Sequence, residues 1–317
     1  MREPNFFIVG APKCGTTAMC AYLSQHPEVF FPRIKEPHFF GSDLVFKRPR
    51  MTKEQYLALF SQATGEKRVG EGSVWYLFSR VAAREIKDFC PSAKIIIMVR
   101  NPVDMMYSLH SQRLYGDDEC VLDFAEALAA EEDRKRGLRL YQNARNHMGF
   151  FYREAATYTP QIRRYLDVFD RGQVKIIVFD DLRHDMAQVY REVCQFLEVR
   201  TDFRPRFVVV NPNKQVRSHA LRSLLRYTPK GVQWLSRTLV PHQLRRKVRK
   251  GMKQFNTVYT SRPPLAPELR RRLQAEFLGE VERLSEMIGR DLTHWCRDEA
   301  PSHLEPLGSL NTAAARL

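Results

Sequence analysis

Three groups of residues carry side chains and spacings suited to chemistry. The first is Gly10-Ala11-Pro12-Lys13-Cys14-Gly15-Thr16-Thr17, followed by Ala18. It comes directly after the apolar run Phe6-Phe7-Ile8-Val9 and opens a helical pattern. A strand–loop–helix turn points backbone N–H groups and the positive end of a helix dipole at one spot, which favours an anion there. Gly10 and Gly15 permit a tight path, Lys13 supplies a point charge, and Thr16 and Thr17 offer hydroxyl donors. The second group is Val99-Arg100-Asn101-Pro102 with Ser108 further along. It places a planar guanidinium at the carboxyl end of an apolar strand, where open α/β sheets bind ligands, and a hydroxyl on the helix that follows. The third is Lys35-Glu36-Pro37-His38-Phe39-Phe40. A carboxylate and an imidazole are suited to taking a proton from an acceptor. In an extended segment Glu36 and His38 face the same way.

The elements that must position these groups are legible as hydrophobic patterns. Phe6–Val9, Lys94–Val99 and Val174–Phe179 are continuous apolar runs rich in β-branched and aromatic residues, as expected of strands covered on both faces. Arg68–Glu71 is a weaker strand candidate. Helical spacing predicts helices over Thr16–Gln25, Val81–Phe89, Asp104–Tyr115, Phe151–Phe169, Met186–Leu197 and Pro267–Ile288. Strands alternating with helices imply an α/β fold: three layers, with a central, mainly parallel sheet flanked by helices. Residues 1–300 read as one domain and 301–317 as a disordered tail. Residues 208–259, interrupted by Pro212, Pro229 and Pro241, read as a basic helical cap or insert.

The chain has 317 residues, 44% of them hydrophobic, with 51 basic against 36 acidic side chains and a formal charge of +15. That excess points to an anionic partner or an acidic surface, or simply to a solvated basic face. Six scattered cysteines without a Cys-x-x-Cys pair are expected to be unpaired thiols, as in a reducing compartment. No apolar run is long enough to be a signal peptide or to cross a bilayer, so the expected location is cytoplasmic. The Arg- and Lys-rich stretch Leu221–Lys250 raises peripheral contact with an anionic membrane, against the plainer reading of a solvated helical face. No nucleic-acid motif is present, and nucleic acid is not an expected partner.

The first group is not a Walker A loop, which ends in Gly-Lys-Ser/Thr; here Gly15 is followed by Thr16 and the lysine precedes the glycine. Pro-Lys-x-Gly-Thr-Thr after an N-terminal strand instead resembles the 5′-phosphosulfate loop of sulfotransferases that use 3′-phosphoadenosine-5′-phosphosulfate (PAPS). The resemblance implies a P-loop-like fold and a donor site built from Lys13, Cys14, Gly15, Thr16, Thr17 and Ala18. Lys13 would assist departure of the leaving phosphate. A strand ending in Arg, then Asx-Pro, then Ser on the helix is similar to the family's 3′-phosphate element, implying the same role for Arg100 and Ser108. Lys35–Phe40 is similar to a segment of heparan sulfate 3-O-sulfotransferases, which implies Glu36 as general base and His38 as its polarising partner. Those enzymes carry Glu-Lys-Thr-Pro-x-Tyr where this chain has Glu71-Gly72-Ser73-Val74-Trp75-Tyr76, so a lysine that contacts acidic glycan is replaced by Gly72. Asn211–Ser218 stands where relatives close a loop over the nucleotide, which implies Lys214 or Arg217 at the 3′-phosphate. The expected reaction is in-line sulfuryl transfer to an acceptor hydroxyl of a glycan, lipid or small molecule, without a metal. A P-loop kinase or nucleotidase and a non-catalytic anion binder are the competing readings. Phe179-Asp180-Asp181 could mimic a Walker B strand, but without the Walker A lysine it reads as a strand terminus.

Overall fold

The computed structural model describes residues 2–142, 144–208, 214–218, 244, 248, 251–252 and 254–297. The expected membrane-contacting stretch 221–250, apart from Leu244 and Val248, and the expected disordered tail 301–317 lie outside the described residues.

The chain starts with β1 (Phe6–Gly10), α1 (Thr16–Leu23) and the short β2 (Val29–Phe30). It continues through α2 (Lys53–Ala58), β3 (Arg68–Gly72), α3 (Ala82–Phe89), β4 (Lys94–Val99) and α4 (Pro102–Gly116). Two short helices, α5 (Phe124–Ala129) and α6 (Glu131–Lys135), precede α7 (Tyr152–Ala156) and α8 (Tyr158–Leu166). Then come β5 (Val174–Val178), α9 (Phe179–His184) and α10 (Met186–Phe196). β6 (Lys214–Val216), β7 (Thr257–Tyr259) and α11 (Pro267–Ile288) follow, and 3-10 turns lie at Met148–Phe150, Arg171–Gln173 and Thr293–Cys296.

Five strands form a parallel sheet in the order β2-β3-β1-β4-β5. Phe6, Phe7, Ile8 and Val9 of β1 and Ile95 to Val99 of β4 are fully buried, as continuous apolar strands between two helical layers should be. Each such side chain contributes about 2 kcal/mol by leaving water. Because β1 lies between β3 and β4, the chain crosses from one side of it to the other. The carboxyl end of β1 is therefore the switch point at which open α/β sheets form their crevice. β6 and β7 pair as a separate antiparallel ribbon.

Two local expectations differ. Phe151–Phe169 is not one helix: α7 ends at Ala156 and α8 restarts at Tyr158, with Thr157 out of the helical region between them. Pro160 is the cause, since it has no N–H to donate in a helix interior and its ring crowds the carbonyl a turn earlier. Gln161 Nε2 donates to the carbonyls of Glu154 and Thr157, both at 2.8 Å, and so ties the two helices across the break. The third apolar strand stops at Val178, and Phe179 begins α9. No described helix is long and apolar enough to cross a membrane.

Candidate active site

The loop after β1 is shaped by backbone conformations that side chains rarely adopt. Lys13 has φ 65° and Gly15, the N-cap of α1, has φ 89°. A Cβ at Gly15 would also stand 3.2 Å from the Phe179 ring, so glycine answers both conformation and space. No side chain caps α1 and no acidic residue sits in its first turn, so its leading N–H groups and the dipole remain available to an anion. Cys14 is fully buried, its thiol beside the Tyr158 hydroxyl at 3.8 Å, and burial pushes that thiol up to about 12. It supports the loop as an inert group.

Arg100 reaches back from the end of β4. Its guanidinium lies over the Phe179 ring at 4.7 Å, donates to the Lys13 carbonyl at 3.4 Å, and stands 4.0 Å from Asp104. The helix behind it is fixed by Asn101, whose side chain accepts from Val103 N at 3.0 Å with Pro102 at the first helical position. Ser108, buried on that helix, accepts from Arg262 Nη2 at 3.0 Å. Arg262 also lies over the Tyr107 ring at 5.2 Å, and its Nε is buried without a partner.

Lys13, Arg100, Arg262 and Lys35 thus crowd one region. Burial first, then the charges of Arg262, Arg100 and Lys35, lower the Lys13 ammonium to about 8. Burial and then Arg100 hold Arg262 below its usual value as well. Cations brought this close repel one another, and an anion among them would relieve the repulsion.

Lys35 joins this region to the third group. Its Nζ donates to Thr17 Oγ1 at 2.5 Å and pairs with Glu36 Oε1 at 3.4 Å. His38 Nε2 lies 3.6 Å from Glu36 Oε2, and the imidazole stacks on Phe46 with centroids 4.2 Å apart. The expected extended run is absent: Glu36 has φ 53° and His38 φ 52°. The side chains meet because both residues occupy the left-handed region, which costs about 1 kcal/mol or more for each. Burial alone would raise the Glu36 carboxyl. The His38 hydrogen bond and the Lys35 charge outweigh burial and hold it below the usual carboxylate range, so it is ionised at neutral pH.

A family model described as the sulfotransferase domain matches residues 3–275. The chain belongs to the sulfotransferase family. This sulfotransferase-family chain superposes on a sulfotransferase crystal structure from Alicyclobacillus acidocaldarius with a TM-score of 0.70 and 34% identity, covering 94% of this chain and 100% of that one. It is 31% identical over 206 residues to human bifunctional heparan sulfate N-deacetylase/N-sulfotransferase 2 and 29% identical over 248 residues to human carbohydrate sulfotransferase 15. Each match covers 62% of this chain but only 22% and 44% of those proteins, so the chain spans less than half the length of these curated relatives.

Several residues fall outside what the sequence pointed to. Lys214 of β6 lies over Tyr259 at 5.7 Å and Arg217, just after β6, over Phe255 at 5.1 Å; the guanidinium that meets Ser108 is Arg262. The signal for Arg262 was its place before Pro263-Pro264, which favours extended backbone ahead of α11, but it was lost among many basic residues. Phe179, the platform under Arg100, read only as the end of a strand. Asp180 and Asp181 are both occupied. Trp295 Nε1 donates to Asp180 at 2.6 Å, and Arg290 grips Asp181 through both terminal nitrogens, Nη2 at 2.7 Å. At Gly72 a Cβ would lie 2.8 Å from Cys20 Sγ, so the thiol fills the space that a side chain at Gly72 would need.

Proposed function

We propose that this chain transfers a sulfuryl group from PAPS to an acceptor hydroxyl, with Glu36 as general base. One observation carries the reading. Lys13, Arg100 and Arg262 converge with Ser108 at the carboxyl end of β1 and β4, and Lys35 ties that cationic region to the Glu36–His38 pair. The buried, unpartnered Arg262 Nε and the depressed Lys13 ammonium are what a site for a doubly phosphorylated nucleotide would present before its ligand. The α1 N-terminus with Lys13, Thr16 and Thr17 suits the 5′-phosphosulfate; Arg100, Ser108 and Arg262 suit the 3′-phosphate.

In the reaction the acceptor oxygen forms a bond to sulfur as the bond from sulfur to the 5′-phosphate oxygen breaks. The acceptor proton passes to Glu36, which His38 and Lys35 keep ionised. Charge developing on the departing phosphate is met by Lys13 and the loop N–H groups. The acceptor is a hydroxyl of a glycan, lipid-linked or small molecule. Gly72, packed on Cys20, leaves no cation where heparan-modifying enzymes place lysine.

Calorimetry with adenosine 3′,5′-bisphosphate and with ATP–Mg tests the donor site. The bisphosphate is expected to bind more tightly, and Arg262→Ala to weaken it more than Arg217→Ala. Preference for ATP–Mg would overturn the reading. Glu36→Gln is expected to retain bisphosphate binding and lose transfer; full turnover in that variant would remove Glu36 as base.

A further inference from the structure

Glu71 is a fully buried carboxyl that the chemistry above does not use. It lies near the end of β3, behind the segment that carries Glu36 and His38. Its Oε2 accepts two phenolic hydrogen bonds, from Tyr56 at 2.9 Å and from Tyr76 at 3.0 Å. A phenol has one proton, and Tyr76 directs its own to Glu71, so its lone pairs are left to accept. They accept from two successive amides, Phe39 N at 2.9 Å and Phe40 N at 3.2 Å. Ser73, whose hydroxyl acts on the same carboxyl, accepts from His38 N at 3.2 Å. Two consecutive N–H groups, at Phe39 and Phe40, therefore hang on a hydroxyl that Glu71 orients, and that of His38 on the neighbouring Ser73 hydroxyl. These amides continue from Glu36 through His38, the two residues held at left-handed φ. A backbone in that conformation persists only when its surroundings over-determine it.

We infer that Glu71 is the positioning residue of the acceptor-side pair, fixing the Glu36–His38 segment through Tyr76 and Ser73. The inference rests on the proposed function only for what the segment does, since the contacts stand without it. Glu71 touches neither donor nor acceptor groups and acts through others. The polarity of the chain matters: only an acceptor at residue 71 lets Tyr76 turn its lone pairs to the amides. The titratable groups facing Glu71 are Tyr56 of α2, Tyr76, Cys20 of α1, Tyr165 of α8 and Glu36. Burial outweighs the three hydroxyls, and with the Glu36 charge it raises the Glu71 carboxyl to about 7. Because the fold raises this carboxyl above its exposed value, an opening that hydrates Glu71 becomes harder as pH falls through about 7.

Hydrogen exchange of the full chain, corrected for intrinsic rates, reads the hold directly at amides 38–40. Glu71→Met, which removes the acceptor, and Tyr76→Phe are each expected to speed exchange there about tenfold, the effect of one lost buried hydrogen bond. Amides 14–17 of the donor loop should keep their rates, and the dissociation constant for adenosine 3′,5′-bisphosphate should stay within about twofold. In the unaltered chain, protection at 38–40 should rise between pH 8 and pH 6, and in Glu71→Met it should be flat. Unchanged protection at 38–40 in both variants would overturn the inference, as would equal loosening of the donor loop. Tyr76→Phe keeps the carboxyl and so decides the matter if Glu71→Met fails to fold. Absence of bisphosphate binding by the unaltered chain would count against the proposed function alone, because the exchange comparison needs no ligand.

Discussion

Lys13 works among three other cations, and its acidity records that company. With burial and then Arg262, Arg100 and Lys35 lowering it to about 8, a large fraction of the ammonium is neutral at pH 8 before an anion arrives. A bound phosphate restores the proton, because an opposite charge favours the charged form. Adenosine 3′,5′-bisphosphate should therefore take up about half a proton per molecule bound at pH 8. Near pH 6 Lys13 is already charged and a phosphate with a second pKa of about 6 releases a proton instead, so the sign reverses. Calorimetry in buffers of different ionisation heats measures both, and Lys13→Ala should abolish the uptake at pH 8. Uptake that survives in Lys13→Ala would show that another group titrates. Residue types at this scale were readable where local order dictated them: Lys13 and Gly15 lie in one turn. Arg262 was not, because its meeting with Ser108 joins distant parts of the chain. Glu36 and His38 were paired from sequence on an extended geometry, whereas positive φ at both residues is what brings them together.

At the scale of elements, the end of β5 and the C-terminal segment hold the floor of the proposed donor site. Phe179 carries Arg100 on its ring and borders Gly15, and the next two residues are tied by Trp295, His294 and Arg290. Asn101 Nδ2 and Gln274 Nε2 both donate to the Trp295 carbonyl, at 3.1 Å and 3.2 Å, so the same turn also braces the start of α4. The Trp295–Asp180 bond joins a carboxyl oxygen to a largely buried indole, and a hydrogen bond of this type contributes about 1.5–3 kcal/mol. Asp180→Ala should lower stability by about 2 kcal/mol in denaturant unfolding, whereas Asp180→Asn keeps an acceptor and should lose less than half of that. Equal losses would mean that charge rather than the hydrogen bond to the indole is what matters. The apolar strands and α11 were legible because burial on two faces and a helical stripe leave periodic traces. The division at Thr157 was missed, although Pro160 marked it, because amphipathic spacing runs on across the break. β2, with two residues, is too short to leave a pattern.

At the scale of the whole molecule, the excess of 51 basic over 36 acidic side chains gains meaning only once the fold gathers Lys13, Arg100, Arg262 and Lys35 at one end of the sheet. Composition left an anionic partner and a solvated basic face both open, and the order β2-β3-β1-β4-β5 sets the crevice in which the proposed donor would bind. Two electrostatic effects then separate by range. Contacts within the site are close and partly buried, so salt screens them weakly, whereas attraction by the net +15 acts across solvent and fades beyond a Debye length of about 10 Å at 0.1 M salt. Stopped-flow binding of a fluorescent adenosine 3′,5′-bisphosphate analogue should show the association rate falling about tenfold from 50 to 500 mM sodium chloride, with a smaller change in dissociation. Arg262→Ala, which removes a contact and one charge among many, should mainly speed dissociation. An association rate indifferent to salt would mean that the basic excess plays no part in capture, and that the site gathers its ligand through the local cations alone.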